Sequence, residues 1–180
     1  MKKNNNKNDN NKPVQKTQSK KLIEQTVRNL VEAEIINLGY EIWDIEYYHD
    51  GIEWLLELTI ENPSGVSISI EDCEKVTYAV NPIIDSADPI ENSYSLAVSS
   101  PGLNRELKNS FHLNRYLNKE VTVKLFAKNE TVGDKSFNAV LKIINDAEKN
   151  FTFELSADNT TLILTKKEIA HIYAYDEINI

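Results

Sequence analysis

The sequence predicts an α+β protein in two parts. An N-terminal α/β domain of order α-β-β-α-β carries two helices on a three-stranded sheet, and a C-terminal all-β small barrel follows. Three observations predict this. Apolar residues recur twice at helical spacing within residues 20–98, with period-two stretches between and after them. Beyond residue 118 only period-two alternation remains. That alternation falls into five short strands, enough for a small closed barrel. The expected organisation is a disordered basic tail (1–19), the α/β domain (20–98), an interdomain linker (99–118) and the barrel (119–180).

The tail is Asn, Lys and Gln with almost nothing apolar, so it cannot bury enough surface to offset the entropy of ordering. The first helix is expected over residues 20–38, with Ser19 as N-cap and Gly39 as the residue that ends it. Its stripe is Ile23, Val27, Leu30, Val31, Ile35 and Leu38. Strands follow over 40–48 and 53–60, joined by an Asp50-Gly51 hairpin signal. In the first, Trp43, Ile45 and Tyr47 alternate with Asp44 and Glu46, which predicts one buried and one acidic face. Asn62-Pro63-Ser64-Gly65 reads as a turn. Ser69, with Asp72 three residues on, opens a second helix with the stripe Cys73, Val76, Val80, Ile83 and Ile84. Pro82 lies inside it and is expected to kink it or to split it after Asn81. Tyr94, Leu96 and Val98 mark a third strand, and residues 111–117 a short helix. The barrel strands centre on Val121–Leu125, Phe137–Ile143, Phe151–Leu155, Leu162–Leu164 and 169–175, with a tight turn at 166–168.

Charge is unevenly placed. Residues 1–21 carry a balance of +6, residues 22–118 one of −12 and residues 119–180 one of −2, for a net −8. A strongly acidic first half repels phosphates at long range and attracts a basic partner; the same charge also serves solubility. One cysteine excludes an internal disulfide and fits a reducing compartment. No apolar run is long enough for a membrane span, and the basic Met-Lys-Lys start leads into no apolar stretch, so a cytoplasmic protein is expected.

Several stretches carry a resemblance. Val98-Ser99-Ser100-Pro101-Gly102-Leu103-Asn104-Arg105 resembles the V-S-S-P-G-L-D-R signature of the bacterial ribosome maturation factor RimP family. Gly39-Tyr40-Glu41-Ile42-Trp43-Asp44-Ile45-Glu46-Tyr47 is similar to that family's G-Y-E-L-V-D-V-E-Y segment, and Ile70-Glu71-Asp72-Cys73-Glu74-Lys75-Val76 to its L-D-D-C-E-x-V segment. Asp85, Asp88-Pro89-Ile90 and the Tyr94, Leu96, Val98 strand fall where the family has L-D, D-P-I and Y-x-L-E-V-S. The resemblance spans about residues 20–180, the barrel half mainly by pattern. It implies an α/β domain followed by an SH3-like barrel. It also implies binding, without catalysis or cofactor, to the precursor of the small (30S) ribosomal subunit, where small-subunit ribosomal protein twelve and nearby rRNA are the implied contacts. A monomer is expected. Two positions depart: Asn104 replaces Asp, which alters the contact if that charge takes part, and Glu106 stands where Pro is common, which loosens the segment.

Ser99, Ser100, Pro101, Gly102, Leu103, Asn104 and Arg105 form the first candidate site. Pro fixes φ and Gly permits a sharp turn, leaving N–H groups and hydroxyls to meet a phosphate or a backbone. The same residues also suit a rigid interdomain corner with Arg105 anchored on a carboxylate, and both readings stand. Asp44 and Glu46 form the second candidate, an acidic face for a basic partner. Nucleophilic catalysis is not supported: His49, His112 and His171 lie in a hairpin, a linker and a last strand, and there is no G-x-S-x-G elbow. No Cys/His set has metal-ligand spacing, no nucleotide loop is present, and Cys73 reads as a core thiol. Lys119, Lys124, Lys128, Lys135, Lys142 and Lys149, with Phe126, Tyr173 or Tyr175, keep a second reading open: an Sm-like RNA-binding regulator.

Overall fold

The computed structural model describes residues 19–175, so residues 1–18 of the expected tail lie outside the described residues. The first unit runs α1 (Lys20–Asn37), β1 (Glu41–His49), β2 (Trp54–Glu61), α2 (Ile70–Ala87) and β3 (Tyr94–Ser99). Ser19 caps α1, its hydroxyl accepting the Leu22 N–H. At the other end the Gly39 N–H bonds the Ile36 carbonyl and the Tyr40 N–H the Ile35 carbonyl, with Gly39 at φ +92°. This paired closure needs the left-handed backbone that glycine adopts without strain. Ser69 and Asp72 form a full reciprocal capping box on α2.

Pro82 neither splits nor ends α2, which continues to Ala87. Proline at this position removes the N–H that would reach the Tyr78 carbonyl, but Pro82 and Tyr78 are both exposed, so water can take that carbonyl. The sheet order is β1-β2-β3; β1 and β2 are antiparallel, and β2 and β3 are parallel across the α2 crossover. Ile23, Val27, Val31 and Ile35 of α1, Val76, Val80 and Ile84 of α2, and Leu56, Leu58 and Ile60 of β2 make one core on the helix side of the sheet.

The expected alternation of β1 fails at one residue. Its register shifts between Ile42 and Asp44, so Trp43 is an extra residue in the strand. Ile42, Ile45 and Tyr47 enter the helix-side core, whereas Trp43 belongs to the core of the second unit. A bulge re-aims the side chain it inserts.

The second unit holds α3 (Ser110–Arg115), β4 (Glu120–Leu125), β5 (Ser136–Asn145), β6 (Asn150–Leu155), β7 (Thr161–Thr165) and β8 (Ile169–Ala174). All pairings are antiparallel, in the order β7-β6-β5-β4-β8. The expected closed barrel is not formed, because β7 and β8 do not pair. Three residues separate them: the turn is held by the Glu168 N–H on the Thr165 carbonyl, and the Glu168 carbonyl accepts the Phe126 N–H. That contact hands β8 to β4 on the far side of the sheet. Side chains still enclose one core, which includes Leu162 and Leu164 of β7 with Ile169 and Ile172 of β8. The arrangement fits an SH3-like pattern of five strands with an open seam.

Candidate functional site

The sheet face of the first unit that turns away from its helices is acidic. Asp44 and Glu46 stand there from β1, Glu57 and Glu61 from β2, with Ser95 and Ser99 from β3. The register sets Glu46 opposite Glu57 and Glu41 opposite Glu61. Directly opposed like charges destabilise a sheet unless something compensates them.

Residues 105–115 supply the compensation. Arg115 bridges the Glu41–Glu61 pair, reaching Glu61 at 3.0 Å and Glu41 in closer contact. Arg105 meets the other oxygen of Glu61 at 3.1 Å. Burial pushes the Glu61 carboxyl above the ordinary carboxylate value, while Arg115 and Arg105 pull against that rise. Lys108 holds Asp44 at 3.3 Å and Glu46 at 2.7 Å. Burial opposes its charge, but Glu46 and then Asp44 outweigh it and raise its pKa. Glu57 has hydroxyls instead: Ser99 donates at 3.0 Å and Tyr48 at 3.1 Å, and the bond to Glu57 raises the tyrosine pKa.

Trp43 and His112 sit at the centre of this junction. The rings stack at 4.0 Å with 3° between their planes, and the Arg105 guanidinium lies 5.2 Å over the indole. His112 is fully buried. Its Nδ1 accepts the Lys108 N–H at 3.1 Å, so Nε2 carries the hydrogen and donates to the Trp43 carbonyl at 2.9 Å. Burial lowers its pKa, which keeps the ring neutral. The linker is tied down further along. The Leu107 N–H bonds the Ile172 carbonyl, and the Ala174 N–H bonds the Arg105 carbonyl, bridging Glu106 to Tyr173 of β8. That bridge does not use the N–H of Glu106, so the departure from proline costs the ladder nothing. The Glu106 carboxylate instead meets His171 at 2.5 Å.

The first candidate motif divides in two. Ser99 and Arg105 turn inward onto Glu57 and Glu61 and make a corner. Ser100, Gly102, Leu103 and Asn104 project outward, with Gly102 at φ +70° and Leu103 58% exposed. Ser100, Gly102 and Leu103 border a pocket of about 280 Å³ shared with Asn62, Val66 and Ile68. Asp44 and Glu46, the second candidate, are engaged by the chain's own Lys108. Sequence reasoning missed Lys108, His112 and Arg115, and the adjacent Ile42-Trp43 pair was the one local sign of the bulge. Cys73 is half-buried and burial pushes its thiol up. Among the described residues no group of three His, Cys, Asp or Glu could hold a metal, and no helix is long and apolar enough to cross a membrane. Of the residues considered for RNA, Lys124 lies 4.8 Å over Tyr173 and Phe126 is 67% exposed.

An α/β unit with an acidic sheet face is pinned by arginine, lysine and a neutral histidine to a five-stranded antiparallel sheet. Residues 30–104 match the family model described as RimP N-terminal domain. Through that domain the chain is similar to the RimP family, a family of ribosome maturation factors that acts on the small ribosomal subunit.

Proposed function

We propose that the chain is a non-catalytic maturation factor of the small ribosomal subunit that works in the cytoplasm by binding the subunit precursor. The match of residues 30–104 to the RimP N-terminal domain carries this reading. The acidic face of the first unit supports a basic protein partner, for which small-subunit ribosomal protein twelve is the expectation. The outward loop Ser100 to Asn104 offers the Ser100 hydroxyl and backbone N–H groups to nearby rRNA. Binding acts on maturation only if an immature conformation is held more tightly than the mature one. The test is co-sedimentation of the full chain with isolated small subunits, large subunits and assembled ribosomes. Selective pelleting with small subunits is expected. Retention of free short RNA without any particle would replace this reading with an Sm-like RNA regulator.

A further inference from the structure

A sheet edge presents N–H and C=O groups that can template another strand, and proteins block such edges. The described residues hold four edges, and three carry backbone contacts to groups other than their paired strand. On β1 the outward Tyr47 N–H donates to Glu24, the Ile45 N–H to Asp44, and the Trp43 carbonyl accepts from His112. On β7 the Thr165 N–H is held by the Glu168 carboxylate. On β8 the edge is covered by the linker through Leu107 and Arg105. The fourth is β3. Among the described residues, no backbone N–H or C=O of Tyr94–Ser99 bonds to anything but β2. Its sequence, Tyr-Ser-Leu-Ala-Val-Ser, holds no charge, no proline and no bulge, the usual devices against pairing.

Carboxylates flank this edge. On the open face Glu53 and Glu57 accept from Ser95 and Ser99 of β3 itself. At the start of the strand Asp85, Asp88 and Glu91 line a pocket with Tyr94 and Leu96. None of these five carboxylates has a Lys or Arg partner among the described residues, in contrast to Asp44, Glu46 and Glu61.

We infer that the β3 edge is a strand-addition site for an extended segment of a protein rich in lysine or arginine. The added backbone pairs with Tyr94–Ser99 while alternate basic side chains reach Glu53 and Glu57 on one face and the Asp85, Asp88, Glu91 pocket on the other. This rests on the proposed reading that the partner is a basic protein of the small subunit.

The test is amide hydrogen exchange of the full chain with a peptide of about seven residues alternating lysine and threonine, matched to the strand length, and with its glutamate counterpart. The outward amides of β3 are expected to exchange fast alone and to slow only with the lysine peptide. Ala97 faces Glu57 in register, so Ala97→Lys places a cation on the open face without entering the core. It is expected to weaken the peptide by about tenfold or more. Protection of the outward β3 amides before any peptide is added would mean the edge is already covered, and overturns the inference. So does peptide binding that leaves those amides unprotected. Co-sedimentation separates the two readings. If wild type does not pellet with small subunits, the functional reading falls; if wild type and Ala97→Lys pellet equally, only the edge does.

Discussion

Replacing Arg115 by Met tests whether the joint is electrostatic. The substitution keeps the apolar stem and removes the cation that bridges Glu41 and Glu61. Those carboxylates are cross-strand partners, so the variant leaves two like charges about 5 Å apart. At an effective dielectric near 20 that repulsion is about 3 kcal/mol. Glu61 is only 12% exposed but Glu41 is 37% exposed, so screening trims the effect, and Arg105 still serves Glu61. The expected loss is about 2 kcal/mol, measured as a lower urea midpoint at unchanged slope. Glu41→Gln in the Arg115→Met background is expected to restore about half of it, since it removes the repulsion rather than the attraction. A loss below about 0.5 kcal/mol, or no recovery in the double variant, refutes the argument. The first result would mean that the ion pairs are exposed in solution, the second that packing of the arginine stem carries the effect.

Two further outcomes follow from the same junction. His112 is buried and neutral with its pKa below the ordinary 6.5, so the unfolded chain takes up a proton that the folded chain refuses. Its contribution is therefore complete above about pH 6.5 and is lost as pH falls toward the lowered folded-state value. Glu61, whose pKa is raised by burial, works in the opposite direction at lower pH, so the measurement is wild-type stability minus that of His112→Gln across pH 5 to 7; a difference that does not shrink on acidification contradicts the assignment. Trp43→Ala empties the space between His112, Tyr116 and Phe111 and is expected to cost about 3–5 kcal/mol. Because Trp43 is the residue of β1 that joins the second core, unfolding should separate into two transitions, and one undivided transition would count against that role.

Much of the fold was legible because it rests on local signals. Helical stripes and caps placed α1 and α2, the Asp50-Gly51 signal placed the hairpin, and alternation placed all five strands of the second unit. What alternation reports is which face of a strand is buried, not which edges meet. That is why five correct strands still suggested a closed barrel. Trp43 failed for a related reason: a bulge shifts the period by one, and Trp43 then counts toward the wrong face. The joint itself was hidden by distance in sequence. His112 meets a carbonyl 69 residues away, and Arg115 a carboxylate 74 residues away. Counting charge by segment concealed it further, because Arg105, Lys108 and Arg115 were absorbed into the −12 of the acidic half they neutralise.

That neutralisation decides where a basic partner can act. The linker spends its cations at the β1 end of the open face, on Glu41, Asp44, Glu46 and Glu61. An incoming lysine at Asp44 or Glu46 must displace Lys108, which is already paired with both carboxylates, so it gains little. At the β3 end Glu53 and Glu57 accept only from hydroxyls, and Asp85, Asp88 and Glu91 stand beside a pocket. A cation arriving there adds a first ion pair rather than exchanging one. The sheet is thus polarised: one end is closed by its own chain and rigidifies the joint, and the other keeps both its charge and its hydrogen-bonding edge available. Charge reversal at Glu57 should therefore weaken a basic partner more than charge reversal at Glu46, although Glu46 is the residue that sequence alone singled out.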